Sequence, residues 1–358
     1  MSSSLLLAED LDHIFKYTKD LFKELENKNI FVTGGTGFFG IWIIESFLYL
    51  NKKLNLNSKI TILTRDKSNF LSKNKHLSKI SEIEFVEGDI CSFRCENQKY
   101  DFLIHAAAQA SADLNKNAPL EMIRVIVDGT RNVLDFASRN NVSKLLFVSS
   151  GAIYGKLPYT VSHVSEEDNF APSVNDPLSA YGEAKRLAEL LCVIAASQSK
   201  NLEVKIARCF AFVGPYLPLN THFAIGNFIQ NSILGEDIII KGDGSPRRSY
   251  LYSSDLIIWL WTILLKGRNA EVYNVGSDES ISIGELANLV AKLSNKNQQV
   301  IVKGSRATHC SISENYERYV PNVDKAYREL GLKKIVELDE AVLKTLGWQY
   351  EANNRFKV

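Results

Sequence analysis

Tyr181 and Lys185 stand four residues apart in Tyr181-Gly182-Glu183-Ala184-Lys185, downstream of the serine pair Ser149-Ser150. In a helix that spacing puts both side chains on one face. A phenol with a reference pKa of about 10 is a poor base near neutrality. An adjacent ammonium, or the positive ring of an oxidised nicotinamide, favours its phenolate. In that setting Tyr181 can remove a hydroxyl proton while a hydride leaves the same carbon. In reverse it protonates the oxygen of a ketone being reduced. Ser150 would hold that oxygen by a hydrogen bond, and Lys185 would also hold the cofactor ribose. The spacing alone is weak, since Tyr49 and Lys53 repeat it. That second pair reads as a solvated helix end. What separates Tyr181 and Lys185 is their place after a serine-rich strand end, in a chain that opens with a dinucleotide turn.

That turn is Thr33-Gly34-Gly35-Thr36-Gly37-Phe38-Phe39-Gly40, set between a strand-like run and the helical IWIIESFL. Gly34 permits the tight exit from the strand, Gly37 lets backbone approach a pyrophosphate, and Gly40 lets the helix pack closely. The helix N-terminus then offers N–H groups and a partial positive charge to the phosphates. The next strand ends at Leu63-Thr64-Arg65-Asp66. An acid at that tip takes the ribose hydroxyls of NAD, whereas a nearby arginine accommodates the 2′-phosphate of NADP. Thr64 holds the acid's place and Arg65 follows, so NADP is expected; NAD is possible if a longer strand brings Asp66 into play.

These residues need a scaffold, and the hydrophobic pattern supplies one. Short apolar runs at 30–32, 60–63, 83–86, 102–104 and 145–148 read as strands, with helical stretches at 38–50, 120–139 and 179–198 between them. Such alternation specifies an α/β fold, a Rossmann-type doubly wound parallel sheet with helices on both faces. Beyond residue 210 the pattern loosens, which predicts a smaller mixed α/β C-terminal portion over 211–358 that binds substrate. The dinucleotide-binding part spans 28–210, and the chain could cross back to it later. Residues 1–27 form a helical extension whose apolar face needs a partner, in this chain or another subunit.

The chain has 358 residues, with 42 Lys and Arg against 41 Asp and Glu. That balance argues against nucleic acid as a partner. Its most apolar run, Leu256 to Leu265, is half the length of a membrane span and reads as a buried helix. The five cysteines are scattered and lack a zinc-ligand pattern, so no metal is expected, and reduced thiols in the cytoplasm are.

Together these segments resemble the extended short-chain dehydrogenases/reductases, the nucleotide-sugar epimerases and dehydratases, from about Lys28 to about Trp348. The resemblance implies that Asp89 and Ile90, in Gly88-Asp89-Ile90, meet the adenine, and that Ala106, Ala107 and Ala108 line the cofactor pocket after His105. It implies that Arg248, in Arg247-Arg248-Ser249-Tyr250, grips a nucleotide-sugar diphosphate, with Arg318 as a later arginine at the nucleotide. Paired hydrogen bonds to phosphate oxygens suit a guanidinium. Gly151, His222 and Asn227 fall where sugar contacts are expected. Relatives of this kind commonly dimerise through the helices matching 120–139 and 179–198.

Departures narrow the chemistry. Dehydratases of the family carry Asp-Glu after the hydroxyl residue and the uronate decarboxylases carry Glu; Gly151-Ala152 stand here. Ile126 and Ala211 replace asparagines usual in the 4-epimerases. The resemblance therefore implies hydride transfer at a sugar carbon, expected at C4, by a 4-ketoreductase. A 4-epimerase with a retained cofactor is the alternative, and a cofactor-sensing protein without chemistry is the alternative of another class.

Overall fold

The computed structural model describes residues 5–95, 99–107, 112–219, 223–304 and 317–355. Seven parallel strands form its central sheet: β1 (Asn29–Thr33), β2 (Lys59–Thr64), β3 (Ile83–Glu87), β4 (Phe102–His105), β5 (Lys144–Ser150), β6 (Glu203–Cys209) and a late strand, Glu271–Val275. The spatial order is β3-β2-β1-β4-β5-β6 followed by the late strand. The chain winds from β1 to one edge, then restarts at β4 beside β1 and winds to the other. Ligand crevices in open α/β sheets form at this kind of reversal, outside the carboxyl ends of the strands. The late strand pairs with β6, with Asn274 opposite Arg208, so the chain does cross back to the first sheet.

The helices are α1 (Leu5–Phe22), α2 (Phe38–Leu54), α3 (Lys67–Lys73), α4 (Ala112–Asn117), α5 (Pro119–Arg139), α6 (Ala180–Gln198), α7 (Ala224–Leu234), α8 (Ser253–Lys266), α9 (Ile283–Leu293), α10 (Asp324–Leu330) and α11 (Leu338–Arg355). Successive strand residues point to opposite faces, so each strand feeds two cores. Ile30, Val32, Ile62 and Leu146 pack beneath α1, α2 and α8 with Trp42 and Trp261. Phe31, Leu103, Leu145 and Phe147 pack beneath α5 and α6. Burial on both faces is why these strands read as continuous apolar runs. The run Leu256–Leu265 lies inside α8, buried throughout. No helix among the described residues is long and apolar enough to cross a membrane.

The apolar face of α1 is covered within the chain. Its Phe22 meets Trp261 with ring centroids 4.8 Å apart. Asp10 is buried and accepts hydrogen bonds from the Tyr252 hydroxyl (2.7 Å) and the Lys344 ammonium (2.9 Å). His13 meets the Asp255 carboxylate at 3.2 Å. A third core gathers α7, α9 and α11 around Val213, Phe228, Ile240, Leu286 and Val342. Beside it lies a small sheet in which Arg247–Arg248 pairs with Ile281–Ser282 on one side and Arg318–Tyr319 on the other.

Candidate active site

The turn after β1 is built as a phosphate cradle. Gly34 has φ +74°, and a Cβ there would lie 2.5 Å from the Ala106 backbone at the end of β4. A Cβ on Gly40 would strike the Gly35 backbone at 2.3 Å. Both positions therefore require glycine. Gly37 is the N-cap of α2, exposed, with no side-chain cap and no acid in the helix's first turn. That open N-terminus suits the pyrophosphate of a dinucleotide. Thr36 is exposed beside it, while Phe38 and Phe39 are half-buried and Phe39 stands edge-on to Phe212 at 5.1 Å.

β2 ends at Thr64 with Arg65 exposed beyond it. Asp66 lies outside the strand as the N-cap of α3, its carboxylate accepting from the Asn69 N–H at 2.8 Å. Asp89 is exposed and closes its own turn, accepting from the Cys91 N–H at 2.9 Å. Ile90 packs over Gly129 of α5. Ala106 and Ala107 continue from β4, with the Ala107 N–H donating to the Thr33 hydroxyl at 3.3 Å. Ala108 and His222 lie outside the described residues. His105 is fully buried, between the hydroxyls of Thr33 (2.7 Å) and Thr130 (3.1 Å). Burial, aided by the charge of Lys185, pushes its pKa down to about 3, so the ring is neutral.

Ser150, Tyr181 and Lys185 come together where β5 ends against α6. Burial pushes the Tyr181 phenol up to about 12, and the nearby Ser150 hydroxyl opposes that rise in part. Lys185 is 2% exposed. Its ammonium donates to the Val148 carbonyl at 2.7 Å and lies 4.7 Å over the Phe147 ring. Burial brings its pKa down to about 8. The expectation that Lys185 makes the phenol more acidic is corrected here: the ammonium is turned to backbone and ring, and desolvation dominates at Tyr181. The Tyr49–Lys53 pair is a helix end, with Lys53 exposed and the Tyr49 hydroxyl bonded to Asp12 of α1.

Three groups that the spacing argument missed complete the pocket. Phe210 and Tyr319 pack ring to ring at 4.7 Å over Gly151. A Cβ at Gly151 would meet the Phe210 ring at 2.7 Å and the Tyr319 hydroxyl at 2.8 Å. Tyr319, not Arg318, faces Gly151, because neighbours on a strand point to opposite faces. Tyr319 pairs in register with Arg248, whose guanidinium lies 5.9 Å from its ring; Arg318 pairs with Arg247 and donates to the Tyr159 carbonyl at 3.1 Å. Arg318 and Arg248 thus do not converge. Arg248 meets Glu317 at 2.6 Å. Asn227 is half-buried on the first turn of α7, where Gly226 lies against the Pro218 carbonyl.

The third missed group is Glu189, one turn beyond Lys185 on α6. It accepts from Arg208 at 3.1, 3.2 and 2.8 Å and from the Ser149 hydroxyl. Arg208 also donates to the Tyr154 hydroxyl at 2.8 Å, which donates to Asn274 at 2.8 Å. This chain of polar groups fixes α6 to β5, β6 and the late strand.

Residues 30–276 match the model of the NAD dependent epimerase/dehydratase family. A dTDP-D-glucose 4,6-dehydratase of Bos taurus is 29% identical over 350 residues, covering 92% of this chain and 91% of that protein. UDP-glucuronic acid decarboxylase 1 of Xenopus tropicalis is 27% identical over 344 residues, covering 93% of this chain and 76% of its own. Among solved structures, UDP-N-acetylglucosamine 4-epimerase from Methanobrevibacter ruminantium superposes with a TM-score of 0.77 at 23% identity, covering 91% of this chain and 99% of that one. With a match over most of its length, and a cradle and hydroxyl–phenol–ammonium group of this form, the chain belongs to the NAD dependent epimerase/dehydratase family of nucleotide-sugar enzymes.

Proposed function

We propose that this protein is a 4-ketoreductase that uses NADPH to reduce the ketone of a nucleotide-linked keto sugar. The observation that carries the reading is the crowding over Gly151. Where relatives that dehydrate or decarboxylate would project an acid, this chain has a phenyl ring and a phenol, with no space for a carboxylate. Proton transfer at one oxygen remains. Tyr181, kept protonated by burial, is suited to give that proton. Ser150 holds the accepting oxygen and Lys185 the ribose. Arg248 exchanges Glu317 for the substrate's diphosphate, Gly151 and Asn227 border the sugar, and Arg318 and His222 are assigned to substrate binding from the sequence. The turn Gly34–Gly40 holds the cofactor pyrophosphate, Thr64 and Arg65 its ribose end, and Asp89 and Ile90 its adenine, with Ala106, Ala107 and Ala108 assigned to the pocket lining. When bound, the nicotinamide supplies the hydride. The cytoplasm, where thiols stay reduced, is the setting we assign.

The test mixes purified protein with keto and non-keto nucleotide sugars and follows cofactor absorbance. Stoichiometric consumption of NADPH with a keto sugar is expected. Turnover of a non-keto sugar without net consumption would make it a 4-epimerase; cofactor binding without any turnover would make it a sensor. In the same preparation Arg65→Ala should weaken NADP binding about tenfold, the worth of a charge-assisted hydrogen bond, and leave NAD binding unchanged. Tighter binding of NAD than NADP by the parent rejects the assignment.

We also propose a homodimer through α5 and α6. Leu187, Leu190 and Ile194 are 44%, 54% and 40% exposed on one stripe of α6. Spacings of three and four make them a continuous apolar ridge, which a second copy would cover. Leu190→Glu is expected to shift sedimentation from dimer to monomer. A monomeric parent would refute the interface.

A further inference from the structure

Between the short strand Phe212–Val213 and α7 the chain passes from one core to another, and a strained residue marks the crossing. Tyr216 has φ +67°, a left-handed conformation that a bulky side chain rarely takes. Glycines aside, the other described residues that take it are asparagines and Ala270. Such a conformation persists only where its surroundings hold it. Here the ring is held from two sides. It packs against Trp348 of α11 with centroids 4.8 Å apart, and stands edge-on to Trp42 of α2 at 6.1 Å. The Trp42 indole N–H donates to the carbonyl of the preceding residue, Pro215, at 2.9 Å. The Tyr216 hydroxyl reaches Glu45 of α2 only at 3.5 Å, the limit of a hydrogen bond.

The left-handed turn sends neighbouring residues to different places. Tyr216 packs on the core beneath α1, α2 and α8, whereas Leu217 is buried in the core of α7, α9 and α11. Pro218 follows, with its carbonyl against Gly226, and Asn227 comes next on α7. At the other end, Trp42 lies just past Gly40, on the helix that the phosphate cradle opens. We propose that Tyr216 is a positioning residue at the seam between the cofactor-binding body and the substrate-binding portion. Wedged between Trp42 and Trp348, its ring sets where α7 and Asn227 lie relative to the cradle. The inference rests on the reading that the turn Gly34–Gly40 holds the cofactor and that α7 borders the sugar. Hydride transfer is sensitive to such placement, since a shift of about 1 Å caused far from the chemistry can cost about a hundredfold. The main contacts of each ligand lie on one side of the seam, so a shift between the sides spares the binding of either ligand alone.

The test compares variants by turnover and by the binding of each ligand alone. Turnover is read on whichever nucleotide sugar the parent converts. Binding is read by calorimetry with NADPH or NADH, and separately with UDP or dTDP. Tyr216→Asn keeps a residue that tolerates the left-handed backbone and removes the ring. It should lower kcat about ten- to a hundredfold while each ligand's Kd stays within about twofold of the parent. Tyr216→Phe keeps the ring and should hold kcat within about twofold of the parent. Trp348→Leu removes one side of the wedge, leaves residue 216 untouched, and should repeat the defect of Tyr216→Asn. Thermal melting checks each fold, and if one of these two variants does not fold the other carries the test. Unchanged kcat in the variants that lose the wedge, a Phe variant as slow as the Asn one, or ligand binding that weakens as much as kcat falls would each overturn the proposal. A parent that converts no nucleotide sugar would instead overturn the reading of the site, and the proposal with it.

Discussion

Tyr181→Phe is expected to lower turnover by about a hundred- to ten-thousandfold, the usual worth of a positioned general acid or base. The ring keeps its packing against the core beneath α5 and α6, and only the hydroxyl is lost. Stability should fall by about 1 kcal/mol, because Ser150 retains the Ala152 N–H. Cofactor affinity should stay within about twofold, since the uniform binding contacts are elsewhere. A profile of kcat against pH adds a sign. In ketone reduction Tyr181 must carry its proton, and burial that pushes it up to about 12 keeps it protonated well above neutrality. The group that titrates first on the alkaline side is Lys185, near 8. Cofactor affinity should therefore weaken as pH rises through that region, while the proton donor stays intact. Stopped-flow turnover beside equilibrium cofactor binding separates the two effects. Activity of Tyr181→Phe within tenfold of the parent would remove the phenol from the mechanism.

How much of this was legible in the sequence follows from the range of each interaction. The strands at 30–32 and 145–148 and the helix at 179–198 are local patterns, and they appear as Asn29–Thr33, Lys144–Ser150 and Ala180–Gln198. The glycine turn is equally local, because each glycine is demanded by backbone a few residues away or by the neighbouring strand end. Ser150, Tyr181 and Lys185 were found because two lie on one helix and the third ends the strand before it. Tyr319 was missed for a different reason. Its neighbour Arg318 carries the charge that attracts notice, and which of two adjacent residues faces the pocket depends on strand register with Arg247–Arg248. A one-residue change in register exchanges the faces, and no spacing within the segment Arg318–Pro321 encodes it. Arg318 accordingly meets the Tyr159 carbonyl while Tyr319 lies over Gly151. The phenol's acidity was misjudged because proximity along a helix says nothing of where an ammonium points. The Val148 carbonyl captures Lys185.

Glu189 left a signal that could have been read: it continues the stripe of Tyr181 and Lys185 at four-residue spacing, where a carboxylate turned inward must find a cation. Glu189→Ala is expected to destabilise the protein by about 3–5 kcal/mol, the cost of breaking a buried pair from one side. The magnitude follows from geometry. The side chains of Glu189 and Arg208 are 8% and 13% exposed, far from the screened surface pairs that contribute little. Burial opposes the charge on Arg208, and the hydrogen bonds and charge of Glu189 more than offset it. Without the carboxylate, the guanidinium retains only the Tyr154 hydroxyl, and the Ser149 hydroxyl loses its acceptor. Ser149 immediately precedes Ser150, and Glu189 also supports the charge on Lys185. The defect should therefore reach the site as a further fall in the Lys185 pKa, moving the alkaline limb of cofactor binding to lower pH. Removing the buried charge as well should restore stability: Glu189→Leu with Arg208→Met is expected to recover most of the loss, since apolar replacements of similar volume often match a buried ion pair. Urea unfolding of the parent, the single variant and the double variant measures each value. A single variant within about 1 kcal/mol of the parent would show that the pair is solvated like a surface one, and that α6 is held on the sheet by its apolar contacts alone.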